Sequence, residues 1–472
     1  MKHFLKLLIA CVSSFLLSHC DDTALTRLER IKQSGTLHIL TRLDPTTYYQ
    51  GVDGYAGLEF DLINLFAKQL GVKVKVDIPS NFEKILKKIG KGKADIAAAG
   101  LTITPERQKT MRFAPAYHEI TEQLIYRSGT RRPSDIDSLE QGILEVTQGT
   151  SHVETLKRLQ QEHKTLTWET NPSLDTAGLL YLVNEGLIDY TIADSNQAIL
   201  LRQFYPKLNI AFDVSDTRQL AWALPKDGDD SLYNEVVAFF QRIKADNTLN
   251  QLIEKHYGHV SRLSYVDNCQ FRQHQKTRLP KYKRHFDQAA TTYNLDWRLL
   301  AAIGYQESHW LANAVSPYGV QGLMMLTNDT ADLLNIKDRT DPIQSIEGGA
   351  RYFQRRHELI ANDIPEPDRT WFALASYNVG IGHLEDARQL TKQQGGNPNK
   401  WLDVKQRLPL LTQEKWHQQT KYGYARGEEP VRYVENIRSY YDLLIWLTEE
   451  NQIQKHALTP KTNEMTEELL LK

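Results

Sequence analysis

From residue 35 to about residue 258, short β-rich runs alternate with segments of helical spacing. TLHIL (36–40) and KVKVDI (73–78) read as strands, and between them LEFDLINLFAKQLG (58–71) keeps its apolar residues on one helical face and stops at Gly71. ADIAAAG, EQLIYR, ILEVTQG, YTIAD and LAWALP continue the alternation. Such a succession predicts α/β architecture, with parallel sheets covered by helices on both faces. Beyond residue 280 strand-like runs stop and helical spacing continues to residue 450. That stretch predicts a compact α-rich unit of about 170 residues, enough to build its own core. The segment between, SRLSYVDNCQFRQHQKTRLPKYKRHF, has basic residues from Arg272 to Arg284. It reads as a connector and first helix with a solvated face, the alternative being a glycan- or membrane-contacting patch.

One position breaks the apolar pattern of the helical half. On a helix through DWRLLAAIGYQESHW, Glu307 shares a stripe with Gly304, Ile303, Leu300 and Trp297. A carboxylate there costs free energy unless something uses it. Apolar neighbours disfavour its charged form, so its pKa should rise and let it hold a proton near neutral pH as a general acid. The structural alternative is a buried glutamate satisfied by hydrogen bonds.

Composition narrows the class. A chain of 472 residues is too long for one core, so two or three domains are expected. A net charge of −1 gives no push towards nucleic acid or anionic lipid. MKHFLK followed by LLIACVSSFLL, too short to span a bilayer, reads as a secretory signal over residues 1–20. LSHC resembles a bacterial lipobox with Cys20 as lipid acceptor, although His19 stands where a small residue is usual; cleavage by ordinary signal peptidase is the alternative. The three cysteines make no disulfide framework, and the 15 histidines show no paired-ligand spacing, so neither metal nor cofactor is expected. The expectation is a soluble body in the cell envelope.

The stretch GLEFDLINLFAKQLGVKV…GKADIAAAGLTITPERQKTMRFAPAY resembles family 3 periplasmic solute-binding proteins, which take up amino acids. The resemblance covers roughly residues 35 to 260. It implies two lobes around a cleft, with the chain crossing near residues 125 to 130 and returning near 215 to 222. It also implies that Arg107 clamps a ligand carboxylate, a task that suits a planar guanidinium. Gly100 and Thr102 match polar contacts just upstream, and Asp194 sits where the family binds an amino group. Gly149, Thr150 and Ser151 open a helix whose free N–H groups suit an anion. The plainer alternatives are an Arg107 salt bridge and an Asp194 that caps SNQAILLRQF. Tyr48 and Tyr49 are candidates for stacking on a ligand or for ordinary packing.

In the second half, YQESHW, SPYGVQGLMMLTNDTA, ALASYNVGIGHL and PVRYVENIRSYYDLL together, in this order, resemble the catalytic domain of lytic transglycosylases, a lysozyme-like fold that cuts peptidoglycan. The resemblance implies that Glu307 is catalytic and that Ser308, Met324, Met325, Tyr377, Asn378 and Tyr433 line the substrate site. Most of that family has glutamine where this chain has Met325. Glycosidases ordinarily use a second carboxylate, and none stands out; Glu428 and Glu429 read equally well as surface charges. The implied reaction therefore uses the substrate's N-acetyl group and returns Glu307 as base, giving 1,6-anhydromuramic acid. The fold expected is multidomain: a two-lobed α/β periplasmic-binding-protein unit (21–269), then an α-rich lysozyme-like unit (270–472) with a polar tail after Leu458. Expected partners are peptidoglycan strands and an amino-acid or muropeptide ligand in the first cleft, with membrane association on the periplasmic side of the outer membrane. Two alternatives remain open: an amino-acid receptor tethered to the wall, and a hydrolytic muramidase.

Overall fold

A computed structural model describes residues 25–458, apart from 52–53, 140–141, 261–263 and 317–318. The expected signal segment, Cys20 and the tail after Leu458 lie outside the described residues.

The first lobe is built on a six-stranded sheet. Its strands run in the order Lys73–Asp77, Thr36–Leu40, Ile96–Thr102, Arg218–Pro225 and Met111–Phe113, and His118–Ile120 also pairs with Arg218–Pro225. The first three are parallel, as the alternation predicts. Helix Leu58–Leu70 buries Leu62, Ile63, Phe66 and Ala67 against this sheet's core, where Phe66 meets Trp222 and Phe239. It stops at Gly71 because that residue takes the left-handed conformation (φ 72°).

The second lobe meets the expectation of parallel sheets only in the short pair Glu145–Thr147 and Glu169–Asn171. Its three-stranded sheet, Tyr190–Asp194, Glu122–Arg127, Leu208–Asp213, is antiparallel. The reason is directional: Glu122–Arg127 leads away from the first lobe, whereas its two neighbours lead back towards it. The crossing also comes earlier than expected. His118–Ile120 belongs to the first sheet and Glu122–Arg127 to the second, so the chain crosses at Thr121; it returns between Asp213 and Arg218. The polar run Thr121, Glu122 and Gln123 interrupts the apolar alternation at that junction. Hydrogen bonds mark it: the Thr121 N–H donates to Ser195 Oγ (3.2 Å) and the Glu122 N–H to Ser215 Oγ (3.0 Å).

The remainder is helical. Helix Tyr265–Thr277, capped by Ser264, runs across the division drawn at 269/270, so the helical unit begins before that boundary. Its Phe271 is fully buried among Tyr305, Trp310 and Tyr440. Helices Lys283–Tyr293, Trp297–Ser308, Pro342–Leu359, Asp368–Val379 and the long Glu428–Leu458 enclose the rest of this core. The second lobe joins it without a break. Phe204 stacks on Trp446 with ring centres 4.3 Å apart, Tyr205 meets the same indole edge-on, and Gln203 donates to the Val260 carbonyl at 2.6 Å. The first lobe reaches the same domain through charge: Glu254 meets Arg438 (3.1 Å) and Lys405 (2.7 Å), and Lys405 also meets Glu435 (3.2 Å). Among the described residues no helix is long and apolar enough to cross a membrane.

Candidate active site

Asp296 opens helix Trp297–Ser308 by accepting the Arg298 N–H at 2.8 Å. Leu300 and Ile303 are fully buried, and Glu307 ends their stripe, partly exposed. The helix stops abruptly: His309 and Trp310 both take left-handed conformations (φ 52° and 57°), and the buried Trp310 indole folds back to donate to the Ala301 carbonyl at 2.8 Å. Gly304 sets how closely the next segment approaches. A Cβ there would lie 2.9 Å from Leu323 Cδ2 and 3.1 Å from both Met324 Sδ and Phe286 Cζ. The 321–326 loop thus rests on the helix one turn before Glu307. Gly304→Ala is expected to destabilise the protein by about 1–3 kcal/mol through overpacking; an unchanged urea midpoint would show that the loop yields freely.

Glu307 Oε1 accepts a hydrogen bond from the Tyr433 hydroxyl at 2.6 Å. Burial pushes the Glu307 carboxyl up to about 7, and the Tyr433 bond opposes that rise. Near neutral pH the group can therefore give a proton and take one back. Among the described residues no second carboxylate contributes to this balance. Glu428 and Glu429 are exposed, and Glu429 pairs with Arg426. Tyrosines form the wall beside the carboxyl: Tyr377 stacks on Tyr433 at 6.2 Å, and Tyr352 meets Tyr377 edge-on at 4.9 Å. Burial, and then the Glu307 charge, holds the phenols of Tyr377 and Tyr433 well above their ordinary range, so both remain hydrogen-bond donors. No motif in the sequence points to Tyr352. The available signal is Gly348–Gly349, which marks a close helix contact one turn earlier on the same face.

Other expected substrate residues are placed differently. Ser308 is buried; its hydroxyl donates to the Leu323 carbonyl (2.8 Å) and accepts the Leu311 N–H, so it staples loop to helix instead of facing a sugar. Met324 is fully buried between Gly304 and Gly349, and only its carbonyl reaches the tyrosine wall, accepting from Tyr377 at 3.2 Å. A methionine side chain at full burial cannot line a subsite. Met325 is half-buried at φ 47°, a left-handed backbone that raises the cost of its side chain. Asn378 is exposed at the end of its helix.

Two family models match the chain: bacterial extracellular solute-binding proteins, family 3, over residues 29–259, and the transglycosylase SLT domain over residues 284–400. The chain is 48% identical over 438 residues to membrane-bound lytic murein transglycosylase F 1 of Alkalilimnicola ehrlichii, an alignment spanning 93% of this chain and 89% of that protein. It is 45% identical over 445 residues to membrane-bound lytic murein transglycosylase F of Pseudomonas putida, spanning 94% and 92%. The chain belongs to the membrane-bound lytic murein transglycosylase F family. Among solved structures it is similar to an amino acid ABC transporter substrate-binding protein, AbpA of Streptococcus pneumoniae, bound to L-arginine (26% identity, TM-score 0.44, 50% of this chain and all of that one).

In this chain the inter-lobe cleft is drawn together by side chains. Arg107 is buried and donates to the Thr102 carbonyl (3.0 Å) in its own lobe and the Gly149 carbonyl (3.2 Å) in the other, with Glu154 at 3.3 Å. Its fork therefore holds backbone and carboxylate already. Ser151 reaches Thr102 (3.2 Å), Gln197 reaches Asp44 (2.7 Å) and Gln148 reaches Glu83 (3.1 Å), each across the cleft. Gly100 takes φ 63° and donates its N–H to Glu59, and the Thr150 hydroxyl turns back to the Thr147 carbonyl. Asp194 makes no capping bond to its helix; it meets His152 instead, at 3.1 Å. Tyr48 stacks on Tyr55 at 4.5 Å, a packing role.

Proposed function

We propose that this family member cleaves the MurNAc–GlcNAc β-1,4 bond of peptidoglycan by transglycosylation, with Glu307 as both acid and base. The observation that carries the reading is one carboxyl raised to about 7, held by Tyr433, with no second carboxylate acting on it. Protonated Glu307 gives its proton to the glycosidic oxygen as the bond from the muramic anomeric carbon to that oxygen breaks. The substrate's own acetamido oxygen shields the anomeric carbon. Glu307, now a carboxylate, removes the proton of the muramic 6-hydroxyl, whose oxygen closes on that carbon. The enzyme regains its starting state and no water is consumed. Tyr433 holds the Glu307 carboxyl and Tyr377 the Met324 carbonyl beside the reacting sugar, with Met325 and Asn378 at the rim.

The enzyme works in the cell envelope, at the periplasmic face of the outer membrane, and its first cleft takes an amino acid or stem peptide. Product analysis tests the reaction: purified sacculi digested by the protein should yield muropeptides with 1,6-anhydro ends by mass spectrometry. Reducing ends would replace this mechanism with hydrolysis, and no products at all would favour a receptor.

The first step needs the protonated acid, so the rate should fall as pH rises through about 7. Tyr433→Phe removes the bond that lowers the Glu307 pKa, and the falling limb should then move to higher pH. The maximal rate should drop at least about tenfold, the worth of one hydrogen bond to a charged group. An unmoved limb in the pH–rate profile would disconnect Tyr433 from the acid.

A further inference from the structure

The cleft holds a cluster that the reaction does not use. Glu122 begins strand Glu122–Arg127 at the hinge, Asp194 ends strand Tyr190–Asp194 directly opposite it, and His152 lies in the first turn of helix Ser151–Leu159. Their exposures are 0%, 5% and 3%, so all three are shut away from solvent. Each offers one ligand atom, and these atoms lie within 4.8 Å of one another. Neither carboxylate oxygen of Glu122 has a hydrogen-bond partner, nor has His152 Nδ1. A carboxylate buried in that way is costly unless a cation joins it. The neighbouring cation does not suffice: Glu154, Glu122 and Asp194 all act on the one Arg107 guanidinium, and Glu154 pairs with it directly. Three carboxyl groups thus face a single guanidinium.

We propose that Glu122, His152 and Asp194 form a binding site for a divalent transition-metal ion of the zinc type. One imidazole and two carboxylates make a borderline nitrogen–oxygen donor set that suits such ions, and its two negative charges match the dication. The spacing fits as well. His152 Nε2 stands 3.1 Å from Asp194 Oδ1, close to the edge of about 3.3 Å that tetrahedral bonds of about 2.0 Å produce. An ammonium group is the rival occupant. It needs only oxygen acceptors, so the imidazole drawn into the cluster is what favours a metal. The three ligands come from three separate elements, which is why histidine spacing along the chain gives no sign of them. Because Asp194 is also the residue expected to take a ligand's amino group, metal and amino ligand would compete for it. The site stands whether or not the cleft takes a peptide.

The test uses the full mature chain, stripped with a chelator and then freed of it. Zn²⁺ is titrated by calorimetry and bound metal is counted by mass spectrometry, for the parent, Glu122→Gln and His152→Gln. The expected result is one ion per chain in the parent and affinity weakened by more than about tenfold in either variant. Should those variants fail to fold, Asp194→Asn reads the same loss. Co²⁺ added to the parent should also give visible absorption from a nitrogen–oxygen ligand field. The absence of stoichiometric Zn²⁺ in the parent overturns the proposal. So does binding that the variants leave unchanged, which would place the metal elsewhere. Heat from lysine that Glu122→Gln abolishes, with none from Zn²⁺, assigns the cluster to an ammonium group instead.

Discussion

Glu307→Gln is expected to abolish release of anhydro-ended muropeptides, lowering the rate about a thousandfold or more, because one residue supplies both proton transfers. The amide keeps the shape and can still accept from Tyr433, so the fold should persist. It should in fact gain stability at higher pH. The carboxyl's pKa rises from 4.5 in the open chain to about 7 in the fold. Below the lower value both states hold the proton and burial carries no charge penalty. As pH rises the unfolded chain releases its proton first, so stability declines and the full penalty is present above about 7. A shift of that size corresponds to about 3 kcal/mol, which solvent reaching the partly exposed side chain reduces to about 1–3 kcal/mol. Denaturation of both proteins at about pH 4 and about pH 8 checks the sign. A variant that loses activity and gains nothing at the higher pH would mean the carboxylate is comfortable where it sits, and the acid role would fall with it.

Arg438→Ala should produce the largest loss of stability. Arg438 is 2% exposed. It donates to the carbonyls of Glu254 (2.9 Å) and Lys255 (3.0 Å), pairs with the Glu254 carboxylate, and lies over the Trp371 ring at 4.9 Å. Removing it leaves Glu254 and the buried Glu435 to share Lys405. Breaking a buried pair from one side costs about 3–5 kcal/mol, or a drop in Tm of roughly 10 °C for a domain of this size. Arg426→Ala is the control: its pair with Glu429 is exposed and worth at most about 1 kcal/mol. Equal melting shifts for the two variants, by scanning calorimetry, would remove the network from the account of stability.

Local rules carried far in this chain. TLHIL, KVKVDI and the helix ending at Gly71 form where spacing and a left-handed glycine demand, and the stripe of Leu300 and Ile303 leads to Glu307 as read. What failed were questions of side. Ser308 and Met324 adjoin the right residues in sequence but turn inward, because Gly304 and Gly349 admit the 321–326 loop so closely that its side chains become core. Tyr352 stayed hidden because its neighbour Tyr377 comes from another helix. The Glu122–Asp194 pairing follows from strand register, which residue spacing cannot express. Antiparallel pairing in the second lobe depends on where the chain turns back in space, which the spacing within each strand does not encode.

The Phe204–Trp446 stack bears on how this chain can be divided. The gap between the two matched segments invites a cut near residue 270, and a C-terminal piece made there would keep Trp446 but lose the ring that covers it. It would also sever helix Tyr265–Thr277, removing the Ser264 cap. Such a fragment would present fresh aromatic surface to water, and self-association, not weakened chemistry, would be its first defect.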